Sequence, residues 1–181
     1  MTYPWTAGEV LQASDLNAYA GLVFVKSQDI TGTPTSVTIT DAFSSQFQNY
    51  RIMGVNLDYS TNGDEIELEM GSGGTHTSSY YGVVSRFPYT GSISDTQHNN
   101  SAPMSIGFTN QSIGGGTLCV DIFGAYTSGT FTSWAGYAAG LRGMRVNGLY
   151  NSSASFTDVT FQTTAGTFVA GTFKVYGYND G

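Results

Sequence analysis

Between Glu65 and Met70 the chain alternates strictly between carboxylate and apolar side chains: Glu65-Ile66-Glu67-Leu68-Glu69-Met70. A period of two puts Ile66, Leu68 and Met70 on one face of an extended strand and the three glutamates on the other. A helix would scatter the same apolar groups around its axis, so this segment reads as a half-buried strand. Asn62-Gly63 just before it suits a type I′ hairpin turn, in which both central residues need φ > 0. The preceding run, Tyr50 to Tyr59, is a long strand whose apolar phase shifts near Gly54, which predicts a bulge there.

Further short strands follow from the same pattern. They lie at Val37 and Ile39, Tyr80 to Val84, Ile106 and Phe108, Leu118 to Ile122, Met144 and Val146, Val159 and Phe161, and Thr172 to Tyr178. Gly71 to Ser79 and Gly91 to Pro103 read as long polar loops, Gly114-Gly115-Gly116 and Gly148 to Ser155 as turns. Tyr126 to Gly140, aromatic and rich in glycine, reads as a long loop over the sheet. About eight short strands separated by turns favour a mainly β fold, an antiparallel β-sandwich or jelly roll, over a helical or α/β one. No internal repeat of fixed period is present.

The first 25 residues differ. Val10, Leu11, Leu16 and Tyr19, with Ser14-Asp15 as a cap, predict one or two short amphipathic turns. A helix this short is marginal alone. It therefore docks on its own domain or on a neighbouring chain. The expected organisation is an N-terminal segment, 1–25, and a β-sandwich domain, 26–181.

Charge excludes several functions. With 6 Lys+Arg against 13 Asp+Glu the net charge is −7, and no basic cluster is present to neutralise phosphates, so nucleic-acid binding is not expected. No apolar run approaches the roughly 20 residues of a membrane span, and no basic region followed by an apolar one marks a secretory signal. Cys119 is the single cysteine, which leaves no internal disulfide and argues against a structural cysteine-based zinc site.

Catalytic patterns are equally sparse. His76 and His98 fall in the polar loops and read as solvated residues; HExxH, CxxC and G-x-S-x-G are absent. The glycine runs lack the Lys-Ser/Thr of a phosphate loop. Glu65, Glu67 and Glu69 stand about 6–7 Å apart on one face. That spacing is compatible with a glycosidase pair, but such pairs face each other across a cleft from different elements. A solvated strand face that blunts edge-to-edge pairing is the preferred reading. No enzyme, cofactor or metal is expected.

Aromatic side chains are the strongest remaining signal. The chain has 12 Tyr, 11 Phe and 2 Trp, while charged residues are only 10% of it. Tyr80, Tyr81, Tyr89, Tyr126, Trp134 and Tyr137 fall in or beside the long loops. Either they roof the sandwich, or some form a surface for sugar rings or a protein partner, offering stacking and hydrogen bonds with little charge to desolvate.

Three segments together resemble a family. Trp5-Thr6-Ala7-Gly8-Glu9-Val10-Leu11-Gln12-Ala13-Ser14-Asp15-Leu16-Asn17 is similar to the W-x-x-G-x-x-L-x-A-x-D-L-N segment at the N-termini of bacteriophage tail-fibre and other virion appendage proteins. Phe43 to Ile52 resembles the strand opening F-x-x-x-F/Y-x-N-Y-R/K-I, and Gly171 to Tyr178 the ending G-T/S-h-x-h-Y-G, of a β-domain in such proteins. The resemblance implies a virion structural protein, a short homotrimeric fibre or knob with a jelly-roll-like head. It places attachment to other virion proteins on Trp5, Leu11, Asp15, Leu16 and Asn17. Receptor or glycan contact on the host surface then falls to Tyr80, Tyr81, Tyr89, Trp134 and Tyr137. A capsid decoration or head-fibre protein is the alternative, and a glycan depolymerase the least favoured.

Overall fold

The period-two segments become strands, and two layers bury their apolar faces. The computed structural model describes residues 21–179 except 62–64, 75, 89, 102, 109–115 and 141. Trp5, Leu11, Asp15, Leu16, Asn17, the expected N-terminal helix, the Asn62-Gly63 turn and Tyr89 lie outside the described residues.

Among the described residues the strands are, in chain order, β1 (Leu22–Asp29), β2 (Ser36–Ile39), β3 (Asn49–Tyr59), β4 (Glu65–Gly71), β5 (Tyr80–Pro88), β6 (Ser94–Ser101), β7 (Met104–Phe108), β8 (Gly116–Phe123), β9 (Thr132–Ala139), β10 (Arg142–Tyr150), β11 (Asp158–Thr163) and β12 (Phe168–Tyr178). They form an eight-stranded sheet, β1-β12-β3-β8-β9-β10-β5-β6, and a four-stranded sheet, β2-β11-β4-β7. All pairings are antiparallel. The described part is thus an all-β sandwich. Strand β1 pairs with β12 from Leu22↔Tyr178 to Asp29↔Thr172, so residues 22–25 belong to the sheet.

The inner faces make one hydrophobic core. Ile39, Leu68, Met70, Val159 and Phe161 from the small sheet meet Tyr50, Ile52, Val120, Ile122, Phe173 and Val175 from the large one. Phe161 and Phe173 stack across the gap, with centroids 4.2 Å apart and planes 4° from parallel. Tyr80 projects from β5 so far that its hydroxyl accepts a hydrogen bond from the Met70 amide of the opposing sheet, at 2.8 Å. A buried tyrosine needs such a partner.

The bulge expected near Gly54 is present. The β3–β8 register shifts between Gly54 and Leu57, and Asn56 there has φ 53. Gly148 and Gly177 are among the glycines required by close approach rather than by turns. A Cβ on Gly148 would sit 2.5 Å from the Tyr81 carbonyl oxygen and 2.8 Å from the Trp134 ring. One on Gly177 would overlap the Phe47 ring.

Three expectations change. Residues 94–101, read as part of a polar loop, form β6, and residues 132–139, read as loop, form β9. Strand β10 continues through Gly148 to Tyr150, where a turn was expected. Strand β6 (Ser-Asp-Thr-Gln-His-Asn-Asn-Ser) carries no apolar side chain because it is an exposed edge held by its ladder to β5. In β9 the small residues Ala135, Gly136, Ala138 and Ala139 flatten the contrast between faces that makes alternation visible.

Candidate functional site

The aromatic candidates separate by strand parity. Consecutive residues on a strand face opposite ways. Tyr80 is fully buried and Trp134 is 2% exposed, so both are core residues and cannot touch a receptor. Their rings lie 5.7 Å apart. Tyr81 and Tyr137 point the other way, onto the outer face of the eight-stranded sheet, where Tyr137 is 57% exposed. Tyr80 and Tyr81 lie on β5, where a strand was expected, and Trp134 and Tyr137 on β9, where a loop was expected.

One row crosses that outer face from edge to edge. Register places Phe24, Tyr176, Arg51, Asp121, Ala135, Asn147, Val83 and Gln97 side by side on successive strands. The neighbouring row runs Lys174, Met53, Cys119, Tyr137, Arg145, Ser85, Asp95. Phe24 and Tyr176 meet edge to face at 5.8 Å, and Phe24 stays 57% exposed.

At the centre of the first row is a charged knot. Arg51 donates to Asp121 through Nε to Oδ1 (2.7 Å) and Nη2 to Oδ2 (2.8 Å). The Tyr178 hydroxyl donates to Oδ1 at 2.7 Å, and the Arg51 guanidinium lies 5.5 Å from the Tyr178 ring centroid. Burial opposes the charge on Asp121, but the two donors outweigh it and hold the carboxyl below its usual range. Burial and the Asp121 carboxylate push the Tyr178 hydroxyl up to about 12. The knot is therefore ionised on Arg51 and Asp121 and neutral on Tyr178 at physiological pH.

Beside it the sheet surface dips. A concavity of about 660 Å³ lies over Ala135 and Gly136, with Asp121, Tyr137, Arg145, Asn147, Ser85 and Phe87 among its lining residues. The dip follows from sequence: the Ala135 methyl stands between the larger Asp121 and Asn147 in its row, while Gly136 turns inward toward Val120. Aromatic, amide, hydroxyl and guanidinium groups converge there, which suits recognition of a polar ring-shaped ligand.

The other candidates resolve differently. Glu65, Glu67 and Glu69 lie on β4, an interior strand of its sheet, so they do not shield an edge. Arg86 pairs with Glu65, and Gln162 Nε2 donates to Glu67 at 2.9 Å and Glu69 at 3.2 Å. Glu69 is only 5% exposed. Burial, reinforced by Glu65 and Glu69, raises the Glu67 carboxyl above its usual value despite the Gln162 hydrogen bond. These carboxylates form a hydrogen-bonded ladder, not a pair facing across a cleft.

Neither histidine is a simple solvated loop residue. The His76 ring nitrogen Nδ1 lies 2.9 Å from the Tyr150 hydroxyl, and its ring packs edge-on against Tyr150 and Phe156. His98 lies on β6, where burial lowers its pKa. Asp95 and His98, three apart on one strand, point to opposite faces. Cys119 is buried, and among the described residues no group of three or more His, Cys, Asp or Glu could hold a metal ion. Among these residues no helix is long and apolar enough to cross a membrane.

Tyr137 was in view from sequence, but Arg51, Asp121, Tyr178, Arg145 and Asn147 were not singled out as a site. The outward phase of Asp121 could have been read from inward Leu118, Val120 and Ile122. Its neighbours depend on strand order. No protein-family model, curated protein or solved structure matches this chain.

Proposed function

We propose that this chain is a structural protein of a bacteriophage virion: a short homotrimeric fibre or knob. It is anchored through Trp5, Leu11, Asp15, Leu16 and Asn17 and meets the host surface with its β-domain. It acts by binding, without catalysis or a cofactor. One juxtaposition carries this reading. A segment resembling virion attachment sequences leads straight into Leu22, the start of an edge strand, and so into a sandwich with a broad aromatic outer face.

Strand order supports a jelly-roll-like description of the domain. Successive strands β2, β3, β4 and β5 alternate between the two sheets, and β2-β11-β4-β7 interleaves early strands with late ones. Two antiparallel sheets interleaved in this way resemble a jelly roll, an architecture used by viral capsid and lectin domains. Trimer formation would cover part of the apolar surface around Phe24, Phe123 and Phe131, all exposed in the single chain.

Light scattering of the full chain is expected to give a trimer, and deletion of residues 1–20 to abolish incorporation into the particle. A monomer that incorporates normally without those residues overturns the proposal. Antibody labelling of intact particles then separates tail from head: label on the tail supports a fibre, and label on the capsid replaces it with a decoration protein.

A further inference from the structure

We propose that the concavity over Ala135 and Gly136 binds a sugar residue bearing a carboxylate, and that Arg145 selects the charge. This rests on reading the outer sheet face as a contact surface and adds the ligand class to it.

The distribution of cations points there. Arg51 is committed to Asp121, Arg86 to Glu65, and the Lys26 ammonium to the Thr40 carbonyl at 2.6 Å. Arg145 is exposed, lines the concavity, and has no ion pair or hydrogen bond among the described residues. An unengaged guanidinium is a planar fork that matches a carboxylate with two parallel hydrogen bonds. Its placement is notable in a chain of net charge −7 whose Glu65, Glu67 and Glu69 lie on the other sheet.

The surroundings favour a sugar as carrier. Tyr137 stands directly opposite Arg145 on the β9–β10 ladder, with Cβ atoms about 5 Å apart. A pyranose resting on the Tyr137 ring brings a ring carboxylate within reach of the guanidinium. Asn147 and Ser85 supply neutral donors and acceptors for hydroxyls. Among the described residues Asp121 is the one carboxylate lining the concavity, and the Arg51 fork compensates its charge, so an anion can approach. Asp95, opposite Ser85 on β6, lies two strands from Arg145, about 10 Å away. Lys174 is four strands away on the same face and does not line the concavity.

The test is an NMR amide-shift titration of the full chain with methyl glucuronide and methyl glucoside, the latter bearing a hydroxymethyl where the former bears the carboxylate. The glucuronide is expected to bind at least about tenfold more tightly, with shifts at Ala135, Tyr137 and Asn147. Arg145→Gln should reduce it to the glucoside level, Tyr137→Ser should weaken both sugars, and Lys174→Gln should change neither. Equal binding of the two sugars, an unchanged Arg145→Gln, or equal binding of N-acetylglutamate overturns the inference, as does failure of both sugars to bind. Neutral-sugar binding that still depends on Tyr137 removes the charge selection while the contact face stands. Failure of the virion reading is seen separately, in particle incorporation.

Discussion

Phe161 of the four-stranded sheet and Phe173 of the eight-stranded sheet lie face to face, 4.2 Å between centroids and 4° from parallel. They link the two layers, and both are fully buried. Phe161→Ala is expected to cost about 3–5 kcal/mol of unfolding free energy, because the opposing backbones cannot close over the cavity left behind. Denaturant unfolding followed by tryptophan fluorescence measures it. A loss below about 1 kcal/mol means the layers are held elsewhere.

Gly148 makes the opposite prediction. Its missing side chain is the space into which Trp134 and Met104 pack, with the Tyr81 carbonyl closing the third side. Gly148→Ala should destabilise by about 1–3 kcal/mol through overpacking, although alanine is a mild change elsewhere in a strand. The same denaturation experiment tests it, with Gly21→Ala, where a Cβ meets nothing within 4 Å, as the control.

Asp121 predicts a pH dependence. Its folded pKa lies below the ordinary value, so it contributes stability fully above about pH 3.9. That contribution fades as pH falls through the lower folded value. Asp121→Asn should cost about 1 kcal/mol at neutral pH, since the pair with Arg51 is partly exposed. The mutant should also lose part of the acid-limb slope in a stability-versus-pH series. An unchanged slope would rule out this origin.

Glu67 works in the other direction. Burial first, then Glu65 and Glu69, raise its folded pKa. Its favourable contribution is therefore complete below the unfolded value of about 4.3 and is lost as pH rises through the folded one. Glu67→Gln should raise the Tm at pH 7, by an amount equivalent to less than about 1 kcal/mol, and lose that advantage at pH 4. A lower Tm at pH 7 would show that the Gln162 hydrogen bond dominates.

Alternation made β4, β8 and the ends of β3 and β12 legible, because each has one face in the core and one outside. Where that contrast vanishes, legibility goes with it. Strand β6 is polar throughout as an edge, and β9 is built partly from alanine and glycine. Tyr80 and Trp134 show the consequence for the candidate site. Trp134, read in a loop, and Tyr80, read beside one, looked like surface aromatics, while their strand parity sends them inward and leaves Tyr81 and Tyr137 outside.

From its sequence alone this chain determined its class, a sandwich of short antiparallel strands, because a period of two is local and each residue carries it. Only the tertiary structure decided which strands are neighbours. Arg51 meets Asp121, and Tyr137 meets Arg145, through ladders joining residues far apart in the chain or separated by a turn. Pairing energy depends on partner and register rather than on either strand by itself. The outer face and its concavity are products of that order.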